Sequence, residues 1–278
     1  MAGNLELMEG WVTMTKGIGW FSGGITSSVA IKKALDNGLM IDIIFFETGQ
    51  HHPDTNRFLK DCEKWFGQKI TTIKNKKYNS VMDIFRKGYV NSPNGAYCTK
   101  LMKKDMRIAL EKIIEFDFQI FGFEYEVKQI NRAIRFNEQY PDSKAIYPLI
   151  DFKLNKNDCF KEIQKAGIEI PEMYKLGYSN NNCIGCVKGG AGYWNKIRVT
   201  HPEVFNEMAT IERQVKATCL KRDGKKFYLD QLDPDSGRHE DISLPECGVV
   251  CQIEMDGLKP LDIEKAYLVE SAYFNKGN

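Results

Sequence analysis

Short apolar runs alternate with amphipathic stretches along the first half of the chain. Apolar runs at 17–22, 40–46, 69–74 and 118–124 predict strands, and the amphipathic stretches between them predict helices. Buried strands separated by helices of about 10–15 residues predict crossover units and a parallel sheet. We therefore expect an α/β fold, a Rossmann-like parallel sheet with helices on both faces, that binds its ligand at the carboxyl ends of the strands.

The last third of the chain has a different pattern. NNNCIGCVKGGAGYWNK is rich in Gly, Asn and Cys, and PEVFNEMATIERQV after it predicts a helix. The polar stretch 221–241 predicts either a β-hairpin or an irregular excursion. We expect a first domain over 1–180 and a small Cys-rich C-terminal lobe over 181–278.

Composition narrows the functional classes. With 39 basic and 37 acidic residues the net charge is +2, so charge does not indicate a nucleic-acid partner. No apolar run approaches the roughly 20 residues that cross a bilayer, and no signal-peptide pattern is present, so we expect a cytoplasmic protein without a membrane partner. Eight cysteines in a reducing compartment favour metal binding or chemistry over disulfides.

The loop WFSGGITSS lies between a predicted strand and a predicted helix. Glycines allow backbone N–H groups to approach an anion closely, hydroxyl groups add donors, and the following helix presents the positive end of its dipole. This combination predicts a phosphate-binding loop. Its expected ligand groups are Ser22, Gly23, Gly24, Thr26 and Ser27.

This loop resembles the SGGxDS signature of the PP-loop superfamily, with Thr26 in place of the usual aspartate. The SGGxTS form resembles the phosphoadenylyl-sulfate (PAPS) reductase-like branch, often met in phages and mobile elements. FFETGQHHPDT, GAYCTKLMKKDMR and FGFEYEVKQINR resemble later motifs of the family, so the resemblance covers roughly residues 17–190 in order. It implies that the protein binds an adenine nucleotide, either ATP or an adenylyl sulfate.

The resemblance also implies further ligand-binding residues. Thr48 and Gly49 would lie beside the nucleotide at the end of the second strand. A helix starting near Thr99 would bring a set of cations together to neutralise a sulfate or phosphate. These cations are Lys100, Lys103, Lys104 and Arg107, with Lys103 as the catalytic one, and Arg132 is expected to join them from the following motif.

Two short cysteine motifs predict a metal site. Cys183 and Cys186 form a C-x-x-C, and Cys247 and Cys251 form a C-x-x-x-C. Four such thiolates suit a structural zinc or an iron–sulfur cluster, and we favour a 4Fe-4S cluster with zinc as the alternative. The family resemblance implies that Cys98 joins the C-x-x-C, which leaves one ligand to find. Cys247 or Cys251 would complete the set.

Cys247 has a second interpretation. Glu246-Cys247-Gly248 matches the E-C-G of the reductases, whose cysteine attacks sulfur, although the histidine that usually follows is absent. Cys247 is therefore either the catalytic nucleophile or a metal ligand. Cys62 and Cys159 fall in helical patterns and are expected in the core, and Cys219 is left undecided.

Three functional hypotheses follow. The first is a sulfonucleotide reductase that uses Cys247 and a thiol donor such as thioredoxin. The second is ATP-dependent, iron–sulfur-assisted thiolation of a tRNA or DNA, which needs magnesium and a nucleic-acid partner. The third is a nucleotide-binding protein without catalysis, with zinc in a structural role. The loss of the aspartate at Thr26 weakens the second hypothesis and favours the third.

Overall fold

A five-stranded parallel sheet forms the centre of the computed structural model, which describes residues 16–90, 95–222 and 224–237. Its strands are β1 (Lys16–Phe21), β2 (Met40–Glu47), β3 (Ile70–Lys74), β4 (Phe118–Ile120) and β5 (Ala145–Ile146). The strand order is β3-β2-β1-β4-β5, so β1 lies in the middle and its carboxyl end is flanked by those of β2 and β4. The parallel α/β prediction is confirmed, and β5 is a strand that the sequence pattern did not reveal.

Helices connect the strands and cover both faces of the sheet. The helices are α1 (Ile25–Asp36), α2 (Thr55–Phe66), α3 (Val81–Arg86), α4 (Tyr97–Thr99), α5 (Asp105–Glu111), α6 (Val127–Gln139), α7 (Pro148–Asp151), α8 (Lys156–Lys165), α9 (Glu172–Lys175), α10 (Ala191–Thr200) and α11 (Pro202–Val215). Short 3-10 turns lie at Pro141–Ser143 and Leu229–Gln231. Helices α2 and α11 match the predicted segments. Gly67 ends α2 in the left-handed conformation that glycine tolerates.

The two faces of the sheet bury separate apolar clusters. Successive side chains of a strand point to opposite faces. Ile18 and Trp20 of β1 accordingly pack with α6, whereas Phe21 packs with α1, α2 and α8. Cys62 and Cys159 are both fully buried in the cluster that contains Phe21, which confirms the core positions predicted for them. Burial raises the pKa of both thiols, so neither is suited to nucleophilic chemistry.

A third apolar cluster builds the lobe that carries the C-x-x-C. It combines side chains of α3, α10 and α11, among them the fully buried Trp194 of α10. An antiparallel pair, β6 (Leu220–Arg222) and β7 (Lys225–Phe227), confirms the hairpin alternative. Because α3 belongs to this cluster, residues before 180 contribute to the lobe, and the boundary at 180 stays a prediction. Within the described ranges, no helix combines the length and apolarity that a membrane span requires.

Candidate active site

The loop between β1 and α1 is folded around its own hydroxyl groups. Gly23 has φ of +80°, a conformation that other residues rarely adopt. The Oγ atoms of Ser22 and Ser27 lie 2.8 Å apart, and Ser27 Oγ donates to the Gly24 carbonyl at 3.0 Å. Gly24 precedes α1 and has no side chain with which to cap the first N–H groups of that helix. The loop and the helix end together form a place for an anion at the carboxyl edge of the sheet.

The segment after β4 packs directly on this loop. A Cβ atom built on Gly122 would lie 2.6 Å from Ser27 Cα and 2.7 Å from Ser27 N. Only glycine permits so close an approach of two backbones. Phe121, Gly122 and Phe123 therefore form one wall of a cleft whose floor is the β1–α1 loop.

Aromatic rings line the cleft beside the loop. Trp20 stacks on Phe46 with 5.5 Å between ring centroids, and its Nε1 donates to Gln119 Oε1 at 2.6 Å. The full lining is Trp20, Phe21, Ser22, Gly24, Thr26, Ser27, Phe45, Phe46, Lys103, Phe121, Gly122, Phe123, Arg132, Tyr174, Asn180, Asn181 and Asn182. Flat apolar rings next to an anion site suit a nucleotide, with the base on the rings and the phosphates on the loop.

Lys103 and Arg132 are the cations of the cleft lining. Lys103 is only 7% exposed, and the Arg132 guanidinium lies 4.4 Å from the centroid of the Phe123 ring. Among the described residues that line the cleft, none is an aspartate or a glutamate. The cleft therefore combines two fixed positive charges with a phosphate-binding loop, an arrangement that attracts an anionic ligand.

A π-helical turn at Lys100–Lys104 separates the predicted cluster of cations. Its i→i+5 hydrogen bonds place more residues in each turn than an α-helix does, so side chains spaced for an α-helical face diverge. Lys100 is exposed and forms an ion pair with Asp105 at 2.7 Å, and Lys104 Nζ lies 5.8 Å from the Tyr140 ring centroid. Of the four cations in this segment, Lys103 alone is in the described lining of the cleft.

Arg107 belongs to the packing of α5 against α6. It is 1% exposed, its guanidinium lies 4.8 Å from the Tyr140 ring centroid and 5.3 Å from that of Phe136, and it forms an ion pair with Glu111. Its Nε and Nη2 atoms find no hydrogen-bond partner within the described part of the chain. The sequence predicts Arg107 as a nucleotide ligand; in the structure it makes these packing contacts and is not in the described lining of the cleft.

Replacing Arg107 by methionine should therefore change stability and spare nucleotide binding. We expect the free energy of unfolding to fall by about 1–3 kcal/mol, because the ion pair and ring contacts are lost while the apolar volume is largely kept. Urea unfolding and nucleotide titration of the same variant measure the two effects. A loss of nucleotide affinity larger than about three-fold, with the fold intact, would indicate that Arg107 contacts the nucleotide.

Three consecutive asparagines, Asn180–Asn182, close the cleft on the side of the lobe. Asn181 Nδ2 donates to the Gly23 carbonyl at 2.8 Å and to Thr55 Oγ1 at 3.2 Å, which ties this segment to the phosphate loop. Asn181 is 5% exposed, and its Oδ1 has no hydrogen-bond partner in the described ranges. A buried acceptor of this kind can receive a hydrogen bond from a ligand. Asn181 is not among the ligand residues predicted from the sequence, although the run NNN beside the C-x-x-C is a visible polar signal.

The end of β2 connects the cleft region to the cysteines. Thr48 Oγ1 lies 3.0 Å from Cys183 Sγ. Gly49 adopts φ of +66°, and a Cβ atom built on it would lie 2.2 Å from the Asn79 carbonyl oxygen. Glu47, Gly49 and His51 line a neighbouring cleft. Thr48 and Gly49, which were expected beside the nucleotide, are not in the described lining of the nucleotide cleft. Thr48 instead contacts Cys183, and Gly49 lines the neighbouring cleft.

Glu47 and His51 form a hydrogen-bonded pair whose two pKa values are both lowered, for different reasons. The Glu47 carboxylate lies 3.1 Å from His51 Nδ1, and this hydrogen bond holds the pKa of Glu47 at about 2, helped by the N–H of Gly49. Burial lowers the pKa of His51, against the pull of Glu47, and the charge of Lys103 lowers it further. The lowered pKa favours the neutral form of the His51 imidazole.

Four cysteines gather in or against the apolar cluster of the lobe. Cys183 and Cys186 are buried in it, and Cys98 and Cys219 pack on it. Gly185 has φ of +77° between the two buried thiols, and Cys186 N donates to the Tyr193 hydroxyl at 2.8 Å. Among the described residues, no three His, Cys, Asp or Glu side chains already form a group that could hold a metal ion. Cys247 and Cys251 lie outside the described residues, so their roles stay predictions.

The fold and the cleft together define a class: an α/β protein with a PP-loop nucleotide-binding cleft at the carboxyl edge of a parallel sheet. A family comparison gives the particular membership. Residues 18–189 match the phosphoadenosine phosphosulfate reductase domain, and the chain belongs to this family.

Individual relatives are distant. The uncharacterized proteins MJ0066 and MJ0973 of Methanocaldococcus jannaschii are each 22% identical over 200 residues, which are 70% and 69% of this chain. The matched segment spans 41% and 46% of those two relatives, less than half of their length.

Two solved structures are also similar. A phosphoadenylyl-sulfate (PAPS) reductase of Candida auris, in a phosphate complex, is 18% identical with a TM-score of 0.44, covering 60% of this chain and 81% of that one. The U34-tRNA thiolase NcsA of Methanococcus maripaludis, with its [4Fe-4S] cluster, is 15% identical with a TM-score of 0.41, covering 74% of both chains.

Proposed function

We propose that this protein is a sulfonucleotide reductase that binds an adenylyl sulfate in the cleft and reduces its sulfur. The proposal depends mainly on the charge of the side chains that line the cleft. Its described lining contains Lys103 and Arg132 and no carboxylate. Magnesium, which accompanies ATP, is usually held by one or two carboxylates together with the phosphates. A lining of fixed cations instead suits an anion that binds directly, such as the mixed anhydride of a phosphate and a sulfate.

The cleft accommodates the three parts of such a ligand. The rings of Trp20, Phe46 and Phe123 line the cleft and give the adenine an apolar surface. The Ser22–Ser27 loop and the start of α1 receive the phosphate. The sulfate then extends toward Lys103, whose buried ammonium group attracts an anion more strongly than a solvated one does.

The chemistry needs a thiolate nucleophile, and we assign this role to Cys247. Its sulfur attacks the sulfur of the adenylyl sulfate, an S–S bond forms, and the S–O bond to the phosphate breaks. The electron pair of that bond leaves with the nucleotide, whose departing charge Lys103 stabilises. A dithiol donor such as thioredoxin then attacks the Cys247 sulfur, releases sulfite and is itself oxidised to a disulfide. We propose a cytoplasmic location, because the reaction needs free thiols and a dithiol donor.

Cys98, Cys183 and Cys186 fit an iron–sulfur cluster by their chemistry. All three are thiols in or against the apolar cluster of the lobe, and Cys183 directly follows Asn182 of the cleft lining. A 4Fe-4S cluster held by these thiols would supply electron-accepting irons to the protein. Zinc on the same thiols is the alternative, and the metal content of anaerobically purified protein distinguishes the two.

A second candidate function is ATP-dependent thiolation of a nucleic acid. It is favoured by the contact between Thr48 and Cys183, because a thiol beside the cleft is what sulfur transfer to an adenylated base requires. The net charge of +2 gives it no support.

The decisive experiment compares the two reactions on the same anaerobic preparation. Sulfite release is measured with adenylyl sulfate and with 3′-phosphoadenylyl sulfate in the presence of thioredoxin. Pyrophosphate release is measured with ATP, magnesium and tRNA or DNA. Thioredoxin-dependent sulfite supports the reductase, and pyrophosphate release that depends on the nucleic acid replaces it with the thiolase. Tight nucleotide binding without either product would show a binding protein.

Replacing Lys103 by methionine should weaken binding of the sulfonucleotide about 10–100-fold, because a charge-assisted contact of about 1.5–3 kcal/mol is lost. Lys100→Met is the matched control. Lys100 belongs to the same π-helical turn but is exposed and paired with Asp105. The Lys100→Met variant should therefore bind the sulfonucleotide within about two-fold of the wild type. Isothermal titration measures both variants. Equal losses in the two would assign the effect to general charge rather than to the buried ammonium group.

A further inference from the structure

We propose that Asn181 accepts a hydrogen bond from a ribose hydroxyl of the bound nucleotide and thereby makes the cleft selective for ribonucleotides. This inference rests on the nucleotide binding of the proposed function and not on the reaction that follows it. It starts from one atom. Asn181 lines the cleft and is 5% exposed, and its Oδ1 accepts no hydrogen bond from any residue that the structure describes.

The neighbours of Asn181 determine which way its side-chain amide is turned. Nδ2 lies 2.8 Å from the Gly23 carbonyl, which can only accept a hydrogen bond. Turning the amide over would set Oδ1 against this carbonyl, two acceptors facing each other, so the nitrogen belongs on this side. Nδ2 also donates to Thr55 Oγ1 at 3.2 Å. Oδ1 therefore remains as a buried acceptor, and leaving such an acceptor unpaired is unfavourable.

The amide is held in place before any ligand binds. A Cβ atom built on Gly23 would lie 3.8 Å from Asn181 Nδ2 and 3.2 Å from Thr55 Cγ2, so the amide and the first residue of α2 both pack beside the phosphate loop. Thr55 is 2% exposed. A polar group fixed in this way by buried neighbours loses little conformational freedom when it meets a ligand, which favours selective recognition.

Only some groups of a nucleotide can donate to Asn181 Oδ1. Phosphate and sulfate groups are deprotonated at neutral pH and only accept, so a carbonyl oxygen repels them. The donors are the ribose hydroxyls and the adenine amino group. Along the covalent chain the ribose lies between the phosphate and the base. Because Asn181 is hydrogen-bonded to Gly23 of the phosphate loop, the ribose hydroxyls come within its reach before the amino group does.

A structural role is the competing explanation for Asn181, since Nδ2 alone ties the asparagine segment to the phosphate loop. The two roles predict different measurements. A structural role would weaken the binding of every adenine nucleotide alike when Asn181 is replaced. An acceptor role changes the ratio between the affinities for a ribonucleotide and its deoxy analogue, because the two changes remove the same contact.

The test is isothermal titration with adenosine 5′-monophosphate, its 2′-deoxy and 3′-deoxy forms, and purine riboside 5′-monophosphate, which lacks the amino group. We expect the wild type to bind one of the two deoxynucleotides about 10–100-fold more weakly than the ribonucleotide. Asn181→Leu keeps the branching of the side chain and lacks the acceptor. It should bind the ribonucleotide and both deoxynucleotides within about three-fold of one another, whatever its overall loss of affinity.

Thr55→Val is the matched control. It removes one partner of Nδ2 and leaves the bond to Gly23 and the Oδ1 atom in place, so the wild-type preference for ribose should persist. The position of the sensitive hydroxyl adds a consequence for the substrate. Dependence on the 3′-hydroxyl would favour adenylyl sulfate over its 3′-phosphorylated form, because a 3′-phosphate does not donate.

Several results would overturn the inference. These are a wild type that binds none of the four nucleotides, equal binding of the ribonucleotide and both deoxynucleotides by the wild type, or a ribose preference that is undiminished in Asn181→Leu. An amino-group preference that depends on Asn181 would move the contact to the adenine. If Asn181→Leu does not fold, Asn181→Ala, which adds no bulk, takes its place. Ribose selectivity without sulfite release would refute the reductase alone, and sulfite release without ribose selectivity would refute this inference alone.

Discussion

Replacing Cys247 by serine is expected to reduce sulfite release at least about 1000-fold, because a serine hydroxyl is not ionised at neutral pH and does not displace a nucleotide from sulfur. Removing a nucleophile should leave binding intact, so the same variant is expected to bind the sulfonucleotide within about two-fold of the wild type. Its iron content should also be unchanged, since the proposed ligands lie elsewhere.

These three readouts separate the two roles that the sequence left open for Cys247. A nucleophile loses turnover and keeps iron and nucleotide, whereas a metal ligand loses iron first. Mass spectrometry of the wild type, mixed with adenylyl sulfate in the absence of a thiol donor, should show a thiosulfonate that adds the mass of SO3 to the peptide containing Cys247. Retention of sulfite release in Cys247→Ser would move the nucleophile to another residue.

Sequence reasoning predicted those parts of the fold that local patterns determine. The strands β1 and β2, the glycine loop and the helices α2 and α11 follow from apolar periodicity and from glycine positions. β5 escaped because two residues, Ala145 and Ile146, are too short to show a period. Its pairing with β4 supplies the order that its own sequence lacks.

The candidate site was predictable where it depends on one loop and less so where it depends on tertiary packing. Ser22–Ser27 needed only the strand–loop–helix order. Predicting which cations face the cleft requires knowing how many residues make up each helical turn. The π-helical turn at Lys100–Lys104 changes that number, and no sequence pattern indicates it. Lys103 thus lines the cleft while Arg107 packs on Tyr140. The aromatic wall joins residues of β1, β2 and the segment after β4, which only the sheet brings together.

Replacing Gly122 by alanine is expected to lower nucleotide affinity more than about 100-fold, because the new methyl group would overlap backbone rather than a movable side chain. The contacts at 2.6 Å and 2.7 Å are to Ser27 Cα and N, within the first turn of α1. Relief requires α1 or the segment after β4 to move, and either movement opens the phosphate loop. Isothermal titration with an adenine nucleotide measures the loss, and thermal unfolding shows how much stability accompanies it.

Gly190→Ala provides the matched control for this substitution. Gly190 precedes α10, has φ of −80°, and a Cβ placed on it meets nothing within 4 Å. Alanine there should leave affinity within about two-fold of the wild type, since neither sterics nor conformation opposes it. Suppose that folded Gly122→Ala binds the nucleotide as tightly as Gly190→Ala does. The backbone at Ser27 can then shift without loss of nucleotide binding. The anion site would then depend on the amides of Gly23 and Gly24 rather than on the close packing of two backbones.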